Sequence, residues 1–188
     1  TSMVAWAMQR TNNDKYAESI KRAAIWVAGM QSRGGGFGSF DINNTHFYLN
    51  EIPFADHGAL LDPPTADVTG RAIALLSLAN RKKYTENIKA GVDYLKIEQE
   101  NDGSWFGRWG TNYIYGTWSV LTALEIAGED SQQAYIKKAM EYLLQIQNSD
   151  GGWGESNDSY YPPKHYRPCK STAFQTAWVL LALLAAGE

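Results

Sequence analysis

The chain has 188 residues, of which 44% are hydrophobic and 20% charged, and its formal net charge is −3. That length suffices for one domain with a sizeable core, and the slight acidity argues against a nucleic-acid binder, which usually carries a basic stripe. Cys169 is the sole cysteine, so no internal disulfide can form, a reducing cytoplasm is compatible, and no Cys/His spacing suggests a zinc site.

Residues 1–8 are apolar nearly all round and predict a buried helix. After a polar turn, residues 15–31 read as an amphipathic helix with Ile20, Ala24, Val27 and the stretch from Gly29 to Met30 on its inner face, ending in SRGGGFGSF. The same order then recurs. Thr69 opens an apolar helix and residues 88–99 form an amphipathic one that ends in ENDGSW; Thr117 opens the next, followed by residues 135–147 ending in NSDGGWG; Thr176 opens the last. The steps from Thr1 to Gln31, Thr69 to Gln99 and Thr117 to Gln147 are each 30 residues, and Gln31, Gln99 and Gln147 each stand 6 before Phe37, Trp105 and Trp153. Repetition at this scale predicts stacked helical hairpins, four apolar inner helices and three amphipathic outer ones. The apolar run at residues 177–186 is shorter than the about 20 residues of a membrane span and reads as a buried helix.

Two long insertions interrupt the repeat, residues 37–66 and 153–171, and long insertions on a repeat scaffold are where function usually sits. In the first, Pro63 and Pro64 mark a helix start near Asp67, which stands one turn before Arg71 on the same face. The second reads as a plain surface loop. Residues 99–118 hold three of the seven tryptophans and two of the eleven tyrosines beside Arg108. Gly103, Gly107, Gly110 and Gly116 break any helix there, so the aromatics are displayed from a connection. Their faces attract cations by roughly 0.5 to 2 kcal/mol per contact; ordinary packing is the other reading of Trp105, Trp109 and Tyr115.

The segments KAGVDYLKIEQENDGSW and KKAMEYLLQIQNSDGGW, with a weaker copy KRAAIWVAGMQSRGGGF, resemble the QW repeat of class II triterpene cyclases. GSWFGRWGTNYIYGTW, IPFADHGALLDPPTADVT and STAFQTAWVLLALLAAGE narrow the resemblance to the squalene-hopene cyclase family, over essentially all 188 residues. The resemblance implies an all-α fold, an α/α toroid (α/α barrel) of helical hairpins. Residues 1–188 would be a segment of one such barrel, too few hairpins to close the ring, starting just after the catalytic Asp-rich motif, with Thr1 as the motif's threonine. The proton-donating aspartates have no counterpart here, so these residues alone are expected to be inactive and to leave apolar helix faces bare.

By the same resemblance Asp67 and Arg71 match the catalytic pair beside the missing acid, with Arg71 a fixed charge that does not relay protons. Phe40, Trp109 and Tyr115 match substrate-cavity aromatics, and Phe54, Ala55, Asp56 and His57 match the access channel. Trp105 and Trp153, with Gln99 and Gln147, belong to the repeat that ties neighbouring helices. The implied activity is protonation and cyclisation of squalene to hopene-type triterpenes, without metal or cofactor; a tetraprenyl-β-curcumene is the alternative substrate. A non-catalytic toroid that serves as a binding module, a prenyltransferase subunit and a glycosidase are the alternatives of other kinds. Implied partners are the polyprene, the remainder of the cyclase chain and, through the parent protein, the cytoplasmic face of a bacterial membrane as a monotopic protein; a homodimer is possible within the family, and nucleic acid is not a partner.

Overall fold

The computed structural model describes residues 1–44, 46, 48, 49 and 61–188. Seven α-helices are formed there: α1 Ser2–Arg10, α2 Ala17–Gly29, α3 Ala66–Asn80, α4 Thr85–Ile97, α5 Tyr113–Ala127, α6 Ala134–Gln145 and α7 Ala173–Ala186. The described residues contain no β-sheet, only isolated bridges between Phe37 and Thr65 and between Glu155 and Pro168. No described helix is long and apolar enough to cross a membrane.

The helices lie in two layers. α1, α3, α5 and α7 pack side by side in that order, while α2, α4 and α6 each contact the two inner helices that flank them. Burial explains the division. Ile73, Leu75 and Leu76 of α3, and Ile114, Val120, Leu121 and Leu124 of α5, are wholly enclosed by neighbours on several sides. The outer helices bury one stripe each, Ile88, Val92 and Leu95 on α4, and Ile136, Ala139 and Leu143 on α6. α2 buries Ala24 and Val27 alone, not the broader face from Ile20 to Met30 that its pattern suggested.

One motif recurs at each junction. The N–H groups of Phe37, Trp105 and Trp153 donate to the hydroxyls of Thr69, Thr117 and Thr176 at 2.9, 3.1 and 3.0 Å. The indole N–H of Trp105 donates to the Leu95 carbonyl and that of Trp153 to Leu143, both at 2.7 Å. Gln99 donates both to Gly103 in its own loop and to Tyr135 at the start of the next outer helix, and Gln31 does the same to Gly35 and Asn87. The glutamines therefore tie successive hairpins and the tryptophans anchor each loop to the helix before it.

Three expectations are corrected. The threonines do not open the inner helices; α3, α5 and α7 begin three or four residues earlier, at Ala66, Tyr113 and Ala173, because the threonines' task is to receive the loop N–H from one turn inside. Gly116 consequently lies within α5, where a Cβ would come within 2.2 Å of the Trp105 carbonyl oxygen; it permits close approach and breaks nothing. The end helices are not buried all round either. Only Ala5 of α1 is buried, and Met3, Val4, Ile25 and Trp26 at one end and Leu180, Leu181 and Leu184 at the other are exposed, in keeping with the expected bare apolar faces, since no further helix among the described residues covers them.

Candidate active site

Asp67 lies in the first turn of α3 and is only 1% exposed. The Thr65 hydroxyl donates to its Oδ1 at 2.6 Å and the Trp109 N–H to its Oδ2 at 2.9 Å. Burial pushes its carboxyl above the ordinary 3.8, with those hydrogen bonds pulling the other way. Arg71, one turn on and 7% exposed, forms no ion pair with it. The guanidinium instead stands among rings, 4.2 Å from the centroid of Trp118, 5.6 Å from Trp6 and 5.9 Å from Tyr115. Burial lowers its pKa, while the Tyr115 hydroxyl and the Asp67 charge oppose the shift; an arginine so placed stays a cation.

Asp67, Arg71, Trp109 and Tyr115 line one cavity of about 330 Å³ together with Thr1, Met3, Phe37 and Val68. The first residue of the chain and the predicted pair thus face the same space. Phe40 is not on that lining. It meets Trp109 edge to face at 5.9 Å, and both line a second cavity of about 740 Å³ with Arg108, Tyr160 and Lys164. Trp109 bridges the two cavities and is 51% exposed, so it is no core residue, whereas Trp105 is wholly buried and packs. Phe54, Ala55, Asp56 and His57 lie outside the described residues.

Three supports escaped sequence reasoning. Asp62 is buried and accepts from Arg108 Nε at 3.0 Å and from the Ser39 N–H at 2.7 Å, fixing the residue next to Trp109. Tyr160 places its hydroxyl 2.7 Å from the Gly107 carbonyl and 2.6 Å from that of Gly110, which bracket Trp109. Glu155 is buried and accepts the N–H groups of Asn112, Tyr113 and Ile114 at 3.0, 3.1 and 2.9 Å, capping α5 from a distant loop. The region at residues 153–171, taken for a plain surface loop, therefore holds the aromatic loop and the α5 N-terminus in place.

The profile of the squalene-hopene cyclase C-terminal domain matches residues 1–188. The chain is 54% identical over its whole length to a squalene–hopene cyclase of Zymomonas mobilis, spanning 30% of that protein, and 42% identical to that of Alicyclobacillus acidocaldarius, again across 30%. A solved ent-copalyl diphosphate synthase from Streptomyces platensis superimposes on 86% of the chain, at 26% of its own length, with a TM-score of 0.62 and 21% identity, a likeness of fold. The chain thus spans about 30% of the length of these two cyclases, and it belongs to the squalene-hopene cyclase family.

Proposed function

We propose that these residues form an arc of the chamber wall of a class II cyclase that protonates squalene and closes it, through successive carbocations, into hopene-type triterpenes. One cavity lined by Thr1, Asp67, Arg71, Trp109 and Tyr115 supports this reading, because a proton-donating segment that ran into Thr1 would reach the same space as the predicted pair. A proton adds to a terminal alkene, the positive charge passes from ring to ring as carbon–carbon bonds form, and a proton is finally lost, so the product is an isomer of the substrate. Trp109 and Tyr115 offer π faces to the moving cation and no strong nucleophile. Arg71 supplies a fixed positive charge that favours ionisation of a neighbouring carboxylic acid, and Asp67 a carboxyl held against the Trp109 loop.

The complete protein incubated with squalene is expected to yield a pentacyclic product by gas chromatography and mass spectrometry, with the Arg71→Leu variant at least about 100-fold slower, the size of loss typical of removing a preorganised charge. Tetraprenyl-β-curcumene in a parallel incubation separates the two substrates. No product from either polyene overturns the proposal.

A further inference from the structure

We propose that Trp118 is a positioning residue: its indole face fixes the guanidinium of Arg71 at the cavity wall, and it acts on the reaction only through that cation. The inference rests on the cyclase reading and adds a residue to it. Of the three rings about Arg71, Trp118 is much the nearest, with the guanidinium carbon 4.2 Å from its centroid. Arg71 lines the cavity and Trp118 does not. Arg71 Nε has no hydrogen-bond partner; the Tyr115 hydroxyl engages the guanidinium as well, so the Trp118 face is what steadies the group where no acceptor reaches it. The ring in turn is braced. It stacks on Trp178 of α7 at 5.2 Å with an interplanar angle of 12°, and Trp178 is met edge-on by Phe174 and Tyr115 at 5.1 and 5.3 Å.

The helix packing sets the same register. A Cβ on Gly70 would come within 2.8 Å of the Ser119 carbonyl oxygen, so α3 and α5 touch backbone to backbone at the residues just before Arg71 and just after Trp118. The Ser119 hydroxyl donates to the Asp67 carbonyl at 3.0 Å and locks that contact. Cation and ring are therefore held to one another by elements that cannot slide. A flexible arginine without its platform would sample rotamers away from the cavity.

A double-mutant cycle in the complete protein tests this. Trp118→Leu is expected to lower kcat about tenfold with KM within about twofold, in the range that a desolvated cation–π contact supports. In an Arg71→His background the same change is expected to cost less than about twofold, because the shorter imidazole does not need the platform. Trp118→Phe, which keeps a ring, is expected to retain kcat within about threefold and secures the cycle should the leucine variant not fold. In parallel, the Arg71 Nε–H resonance of arginine-labelled protein is expected to lose the larger part of its ring-current shift in Trp118→Leu, the part due to the nearest ring. Equal losses in both backgrounds, an unchanged kcat, or an unmoved resonance would overturn the inference and leave the cyclase reading standing. Absence of any triterpene from the unmodified protein would sink the cyclase reading, and the resonance would still decide whether Trp118 holds Arg71.

Discussion

Among the described residues Glu155 is the side chain that caps α5, and its replacement by alanine removes that cap. Asn112, at the N-cap, spends its own side chain elsewhere, accepting the Gly107 N–H at 3.1 Å. The carboxylate at residue 155 takes the N–H groups of residues 112, 113 and 114, two of them on Oε2 and one on Oε1. Each buried donor left without an acceptor costs about 1–3 kcal/mol. Part of that is returned, because the carboxylate no longer has to be desolvated; burial already raises its pKa against the pull of those three amides. The net loss is about 3–5 kcal/mol, the range for removing one partner of a buried charged network. Glutamine keeps one oxygen but turns an NH₂ toward a donor, so Glu155→Gln should lose about 1–3 kcal/mol. Native-state hydrogen exchange reads this locally. Amides 112–114 should exchange roughly a hundred- to a few thousand-fold faster in Glu155→Ala, at 1.36 kcal/mol per decade, with smaller changes in α4. Unchanged protection at those amides would refute the assignment of Glu155 as the cap.

Gln99→Ala removes two hydrogen bonds across the junction of α4 and α6, to Gly103 at 2.9 Å and Tyr135 at 2.8 Å, and should cost about 1–3 kcal/mol; a thermal unfolding midpoint indistinguishable from wild type would contradict the tie. For Asp67→Asn the expectation is a flatter dependence of stability on pH. The wild-type carboxyl is raised above 3.8 by burial, so its contribution is fully present below that value, where folded and unfolded chains both carry the proton, and is lost as pH rises through the higher folded value. Asparagine has no such loss, and melting curves of the two proteins recorded from about pH 4 to 7 should diverge in its favour; parallel curves would show that Asp67 does not titrate as argued.

The layered helices were legible because their signal is one-dimensional. The 30-residue step from Thr117 to Gln147 and the 6-residue step to Trp153 repeat elsewhere in the chain, and an almost wholly apolar stretch such as the one within α5 can only lie between neighbours. What that signal could not show was where burial stops. The apolar pattern of α7 is like that of α5, yet Leu184 is exposed, since burial depends on the next helix in the ring and not on the segment itself. Helix starts were misplaced for a related reason. Thr117 looks like an N-cap by type, but its partner is the Trp105 N–H, 12 residues back, and no local pattern distinguishes the two uses.

The site divides along the same line. Asp67 and Arg71 stand one turn apart, and the cavity does bring both to its wall; their spacing on a helix carried that information. It did not carry what holds them. Spacing alone would pair them as a helix-surface salt bridge of a few tenths of a kcal/mol, whereas the structure gives Asp67 to the Trp109 amide in the loop before α5 and Arg71 to the Trp118 face on α5, both of them tertiary contacts. Glu155 was missed more completely, because its partners are backbone amides that every residue possesses, so nothing in the sequence of residues 112–114 announces the need for a carboxylate. A buried acid facing the start of a helix whose own N-cap side chain is engaged elsewhere is a tertiary signal, and the loop that carries it is thereby as much a part of the aromatic wall as the rings themselves.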